Sequence, residues 1–191
     1  IHIHVSYMPT PGHLGEPKTK PTQLSVRTLN GMGIQPDLII ARSEKYLDQR
    51  RRDRFALFCN MHPEDIISNP DVGYVYEIPV VLHSQGIEKR IFTKLGLEYK
   101  APKLAEWEKL IGKIKAHKKK KAEIVIVGKY FGTGDYQLRD SYAALFDAID
   151  HASWESGVEV STRWVDAEKL EKEGVDKALG RPDGIIVPIG W

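Results

Sequence analysis

Cysteine is almost missing from this chain. Cys59 alone among 191 residues excludes an internal disulfide and fits a reducing cytoplasm. No apolar run approaches the ~18 residues of a membrane-crossing helix. No excess of one charge stands out either: 28 basic and 26 acidic residues leave +2, so the global balance does not force a nucleic-acid partner. Neither G-x-G-x-x-G nor G-x-x-x-x-G-K-[ST] occurs, so no dinucleotide or P-loop claim can be made. With 41% apolar and 28% charged residues, the remainder is the composition of an ordinary globular chain.

The charges that are present cluster. Arg50, Arg51, Arg52 and Arg54 form one group and Lys118 to Lys121 another. A third set lies in Gly15-Glu16-Pro17-Lys18-Thr19-Lys20-Pro21-Thr22-Gln23. Its two prolines fix φ and bias the residues before them to extended backbone, so Glu16 to Lys20 reads as a loop. Lys18 and Lys20, one residue apart, share a side of such a loop, which suits an oligoanion. Thr19 or Thr22 can cap the helix expected from about Thr22 to Asn30, whose unpaired N–H groups add to an anion site. The plain alternative is a solvated basic loop before an ordinary helix.

Along the chain, Ile1 to Ser6 alternates as a strand, with His2, His4 and Ser6 on one face. Two histidines without a third ligand make a poor metal site. Asp37 to Ala41 is a continuously apolar strand of the kind buried in parallel sheets, and Arg42 follows at its carboxyl end, where ligands of open α/β sheets bind. The arginine group predicts a helix over Asp48 to Phe58 whose start opposes its own dipole unless the arginines meet anions. Glu64 to Ser68 is a short strand candidate. Cys59 lacks the glycines of a nucleophile elbow and reads as a buried structural thiol. Leu104 to Ile114 is an amphipathic helix with Leu104, Trp107, Leu110 and Ile114 on its apolar side, followed by His117 and four lysines. Glu123 to Val127, Val158 to Trp164 and Gly184 to Val187 then give three strands separated by helices, a β-α-β-α-β pattern that predicts a doubly wound parallel sheet. The boundaries implied are 1–98, a linker over 99–121, and 122–191. A start on a strand without Met and an end on a strand predict a piece from inside a longer protein.

Lys18-Thr19-Lys20-Pro21-Thr22-Gln23, Gly33-Ile34-Gln35-Pro36-Asp37 with Ile39-Ile40-Ala41-Arg42-Ser43, Arg54-Phe55-Ala56-Leu57-Phe58-Cys59-Asn60 and Val127-Gly128-Lys129-Tyr130 occur in an order that resembles CTP synthase. The resemblance implies an α/β P-loop/Rossmann-like amidoligase domain over 1–98. It further implies the first βαβαβ part of a flavodoxin-like class I glutamine amidotransferase domain over 122–191, the whole being an internal segment. The implied parent is a ligase that makes CTP from UTP with ATP, Mg²⁺ and glutamine-derived ammonia. GTP would be its activator, CTP its feedback inhibitor, and a cytoplasmic homodimer or homotetramer its assembly. It implies UTP or CTP contacts at Lys18, Thr19, Lys20, Gln23 and Arg54, the last where the family usually has lysine. ATP would meet Arg42, Asp71 and Val72. Gly190 would belong to an oxyanion-hole region, although Pro188-Ile189-Gly190-Trp191 puts a side chain where the family commonly has glycine.

The P-loop, the Mg²⁺ carboxylates and the glutaminase Cys, His and Glu of such an enzyme are not found in these 191 residues. The segment is therefore expected to be inactive alone. Two other readings stand beside it: a non-catalytic nucleotide-binding or oligomerisation module, and RNA binding through Arg50 to Arg54. The second lacks aromatic residues interleaved with the charges to stack bases.

Overall fold

Continuous apolar sequence at Leu38 to Ala41 becomes the central strand of a small parallel sheet in the computed structural model of the chain. The structure describes residues 1–12, 15–116, 118–129, 132–133, 136–137 and 139–189, with only the backbone course given for 132–133, 136–137 and 139–140. Two compact units emerge, Ile1–Glu108 and Lys109–Trp191.

In the first unit, β1 (Ile3–Tyr7), β2 (Leu38–Ser43) and β3 (Ile66–Pro70) pair in parallel in that order, with Val5 opposite Ile40 and Ile40 opposite Ile67. Leu38, Ile39 and Ala41 are wholly buried, as expected of a strand covered on both faces. The outer strand β1 behaves differently. Its polar set packs inward, because α1 (Lys20–Gly31) offers hydroxyls to meet it. Ser6 donates to Thr22 Oγ1 at 2.9 Å, and His4 Nε2 lies 2.9 Å from Ser25 Oγ. Val5 and Tyr7 face outward, more than half exposed. Burial, and then the neighbouring His2, lower the pKa of His4. A histidine already held by a serine is a structural group, and among the described residues no set of three metal-ligating side chains gathers.

Helix α1 begins two residues earlier than its threonines suggest. Pro21 sits in the first turn, where a missing N–H costs nothing, so the helix extends back to Lys20. Thr19 is the N-cap residue but makes no capping bond. Helix α2 (Gln49–Cys59) is capped by Asp48, whose side chain accepts from Arg51 N, and it ends at Asn60 in the left-handed conformation. Phe55 and Cys59 fasten it to a core of Met8, Val26, Ile39, Ala41, Leu47 and Ile66. Burial pushes the Cys59 thiol up to about 11. Beyond β3 come α3 (Ile78–His83) and α4 (Ile87–Lys94). Helix α5 (Ala105–Lys115) runs across the division between the units. Of its expected apolar stripe only Ile114 is fully buried, and Trp107 is held instead by donating to Tyr76 O.

The second unit is a parallel sheet of order β7-β4-β8, made of β4 (Lys120–Gly128), β7 (Val158–Asp166) and β8 (Gly184–Ile186). Between β4 and the next helix lies a short antiparallel pair, β5 (Gly132–Thr133) and β6 (Tyr136–Gln137). Strand β4 alternates its buried residues between two helical layers. Ile126 packs on Tyr142, Phe146 and Ile149 of the segment leading into and forming α6 (Ala143–Ser156). Val125 and Val127 pack with Val165 and Ala178, on the side of α7 (Ala167–Glu173) and α8 (Val175–Leu179). Gly184 is required by space: a Cβ there would meet Ile124 Cδ1 at 2.9 Å. The strand begins at Lys120, inside the stretch that reads as linker, because Lys120 pairs with Val158 and Lys121 meets Glu159 at 3.3 Å.

Candidate functional site

The carboxyl ends of β1 and β2 deliver the candidate residues. After β1, Met8 N donates to Arg42 O at 2.7 Å, and Lys18 N donates to Pro9 O at 2.9 Å, closing the proline-braced loop back on the strand end. That loop and the start of α2 enclose a cleft of about 670 Å³. Lys18, Thr19, Lys20 and Arg54 all line it, together with Arg50, Arg51, Glu16 and Asp48. Sequence spacing had not joined the arginine helix to the lysine loop.

The join is made by Arg51. Its Nε donates to Pro17 O at 3.1 Å, one terminal nitrogen lies 3.0 Å from Glu16 Oε2, and the other contacts Asp48. Glu16 also holds Lys18 Nζ at 2.5 Å. The Lys18 hydrogen bond and charge, then Arg51 and Arg50, keep the Glu16 carboxyl below its ordinary pKa. Thus two of the cleft's cations are held by carboxylates of the cleft itself. Arg50 and Arg54 make no ion pair among the described residues, and Lys20 rests 5.3 Å over the Phe58 ring. Exposed cations aimed into one concavity can bind a phosphate chain, and arginine adds a planar fork to lysine's point charge.

Gln23 does not line this cleft. It is buried in the first turn of α1, where Nε2 donates to Thr19 Oγ1 at 3.2 Å, so it positions a lining residue in this chain. Arg42, Asp71 and Val72 form a separate group at the ends of β2 and β3. Arg42 is ion-paired to Asp71 and donates to Ser43 O and Asn69 O, both at 3.3 Å. Asp71 N in turn donates to Ser43 O at 2.9 Å. The pair is half exposed and offers a carboxylate and a guanidinium side by side. Gly190 and His117 lie outside the described residues.

A protein-family model described as CTP synthase N-terminus matches residues 1–97, which include the whole of this cleft. The chain belongs to the CTP synthase family. CTP synthase of Pyrococcus abyssi is 46% identical over 189 residues, covering 99% of this chain and 34% of the relative. Those of Symbiobacterium thermophilum and Hydrogenobaculum are 41% and 42% identical, each covering all of this chain and 35% or 34% of the relative. The chain therefore spans about a third of the length of the curated CTP synthases it matches. The match corrects the placement read from the sequence, that of an internal segment: the matched region, residues 1–97, is the N-terminal one of the family. Strands at both ends of a sequence, and motifs not found between them, do not locate a stretch within a relative.

Proposed function

We propose that residues 1–98 supply nucleotide-binding surface to a CTP synthase. The triphosphate of UTP, or of the inhibitor CTP, would lie in the cleft lined by Lys18, Thr19, Lys20 and Arg54. The observation that carries this is the convergence of the lysine loop and the arginine helix on one cleft. An incoming phosphate chain exchanges with Glu16 for Lys18, while Arg54, without an ion pair among the described residues, supplies the second contact. Gln23 acts through Thr19. Arg42, Asp71 and Val72 are proposed to meet ATP: Asp71 as an acceptor for the exocyclic amine of the adenine, Arg42 as a cation stacking on or clamping the nucleotide. Residues 99–121 are read as a connector and 122–191 as a flavodoxin-like amidotransferase unit, the first unit being Rossmann-like. The separate β7-β4-β8 sheet and the end of the family-model match at residue 97 support that division.

The proposed parent reaction is amination of UTP at C4: ATP phosphorylates the exocyclic 4-oxygen, and ammonia from glutamine then displaces the phosphate. GTP is its proposed activator and a cytoplasmic dimer or tetramer its proposed form. Among the described residues no three His, Cys, Asp or Glu side chains gather, and no step is routed through Mg²⁺. The purified chain is expected to bind UTP without UTP-dependent ATPase or glutaminase activity. Calorimetric titration with UTP tests the site. Lys18→Ala should weaken binding about tenfold, the value of one charge-assisted hydrogen bond, and unchanged affinity would remove Lys18 from it.

A further inference from the structure

Helix α2 borders a second concavity on its other flank. This cavity, about 490 Å³, is lined by Gln49 and Arg52 of α2, by Glu64, by the Gln85–Gly86 junction and by Lys89 and Arg90 of α4. Its volume falls in the range of small-molecule sites. It shares no lining residue with the first cleft.

The feature that asks for a ligand is Arg52. Its guanidinium is partly buried and donates only to neutral oxygens, Ile66 O and, at 2.9 Å, Gln85 Oε1. Among the described residues no carboxylate reaches it. Burial accordingly lowers its pKa. A cation withdrawn from water without a counter-ion is costly, and the cost falls when an anion is brought to it. The neighbouring charges do not supply that anion. Asp65, 2% exposed, is used up by Arg90 at 2.8 Å and Lys94 at 2.9 Å, and Lys89 is exposed with no ion pair among the described residues. Of the residues lining the cavity, Arg52, Lys89 and Arg90 are cationic and Glu64 alone is anionic.

The floor of the cavity is rigid. Gln85 Oε1 also accepts from Ser68 N at 2.8 Å, while its Nε2 donates to Ser68 O at 2.7 Å and Val81 O at 3.0 Å. Every polar atom of that side chain is committed, so Arg52 is held in place rather than free to turn into solvent. Gly86 precedes α4, whose first turn has no side-chain cap, and its unpaired N–H groups add to the same positive edge.

We propose that this cavity is a second anion site, taking the phosphate group of free phosphate or of a small phosphomonoester between Arg52 and Lys89. It lies across α2 from the first cleft and is independent of it. The test is an amide NMR titration of the 191-residue chain with inorganic phosphate, and in a parallel arm with ribose 5-phosphate. Saturable shifts at Gly86, Ile87, Lys89 and Thr93 are expected. Tighter binding of the ester identifies a metabolite as the source, and equal binding identifies free phosphate. The Lys89→Glu variant, altered at an exposed position, should bind phosphate at least about tenfold more weakly, since a charge-assisted contact becomes a repulsion. The matched charge change Lys169→Glu in the second unit should leave the affinity as it was. Shifts absent at Gly86 to Thr93, or equal phosphate affinity in Lys89→Glu and the unmodified chain, would overturn the proposal.

Discussion

The two flanks of α2 hold arginines from one run of sequence in opposite circumstances. On the flank facing the lysine loop, Arg50 and Arg54 are exposed and unpaired among the described residues, and Arg51 is tied to Glu16 and Asp48. On the other flank Arg52 is partly buried and held by neutral oxygens. Successive helical residues turn about 100°, so neighbouring charges in sequence reach different environments in space. A basic run on a helix is therefore not one site. Here the cations unpaired among the described residues line the cleft proposed for a phosphate chain, whereas the fixed one borders the cavity proposed as a second anion site.

Removing the anchor the two flanks share should have the largest effect. Phe55→Ala leaves a cavity beneath α2 and should cost about 3–5 kcal/mol, measured by denaturant unfolding, with both flanks loosened together. Damage confined to one flank would show that the clefts do not depend on the common helix. Asp65→Asn should act on the Arg52 flank alone. It strips Arg90 and Lys94 of their buried partner, and because those cations keep some solvent the loss should be about 2–3 kcal/mol. Hydrogen exchange should then quicken in α4 and not in α1. On the lysine-loop flank, Asp48→Ala removes the N-cap of α2 and one hold on Arg51, for about 1 kcal/mol. A smaller effect at neutral pH is expected at the far end of the helix. Cys59 has its pKa raised by burial to about 11 from 9.0, so the folded state favours the neutral thiol. That contribution is complete below pH 9.0, should diminish as pH rises through about 11, and leaves neutral stability untouched. Alkylation of the native thiol at pH 8 should be slow, and fast only on unfolding.

Much of this was legible in the sequence. The apolar run of β2, the proline-braced loop and the helix carrying the arginines are all local patterns; the strand and the arginine helix are found where expected, and the loop ends at Thr19 because α1 reaches back to Lys20. What local pattern cannot show is pairing across the sheet. Arg51 and Glu16 are 35 residues apart, and Arg90 and Asp65 are 25 apart. Both contacts exist because the parallel sheet returns distant segments to one side. The inward turn of Ser6 and His4 was hidden for the same reason, since it depends on hydroxyls of α1. Gln23 reads as a contact residue by its place in the motif, yet helix geometry sets it behind Thr19. The arginine run did carry one usable signal: cations at a helix start, against its dipole, call for anions.

The most direct measurement compares the affinities of UTP and uridine for the chain, before and after joint replacement of Lys18 and Arg54 by alanine. The account predicts that UTP binds far more tightly than uridine, and that the double replacement removes most of that difference while uridine is little affected. Equal affinity for the two ligands, or a difference that survives the replacement, would contradict it.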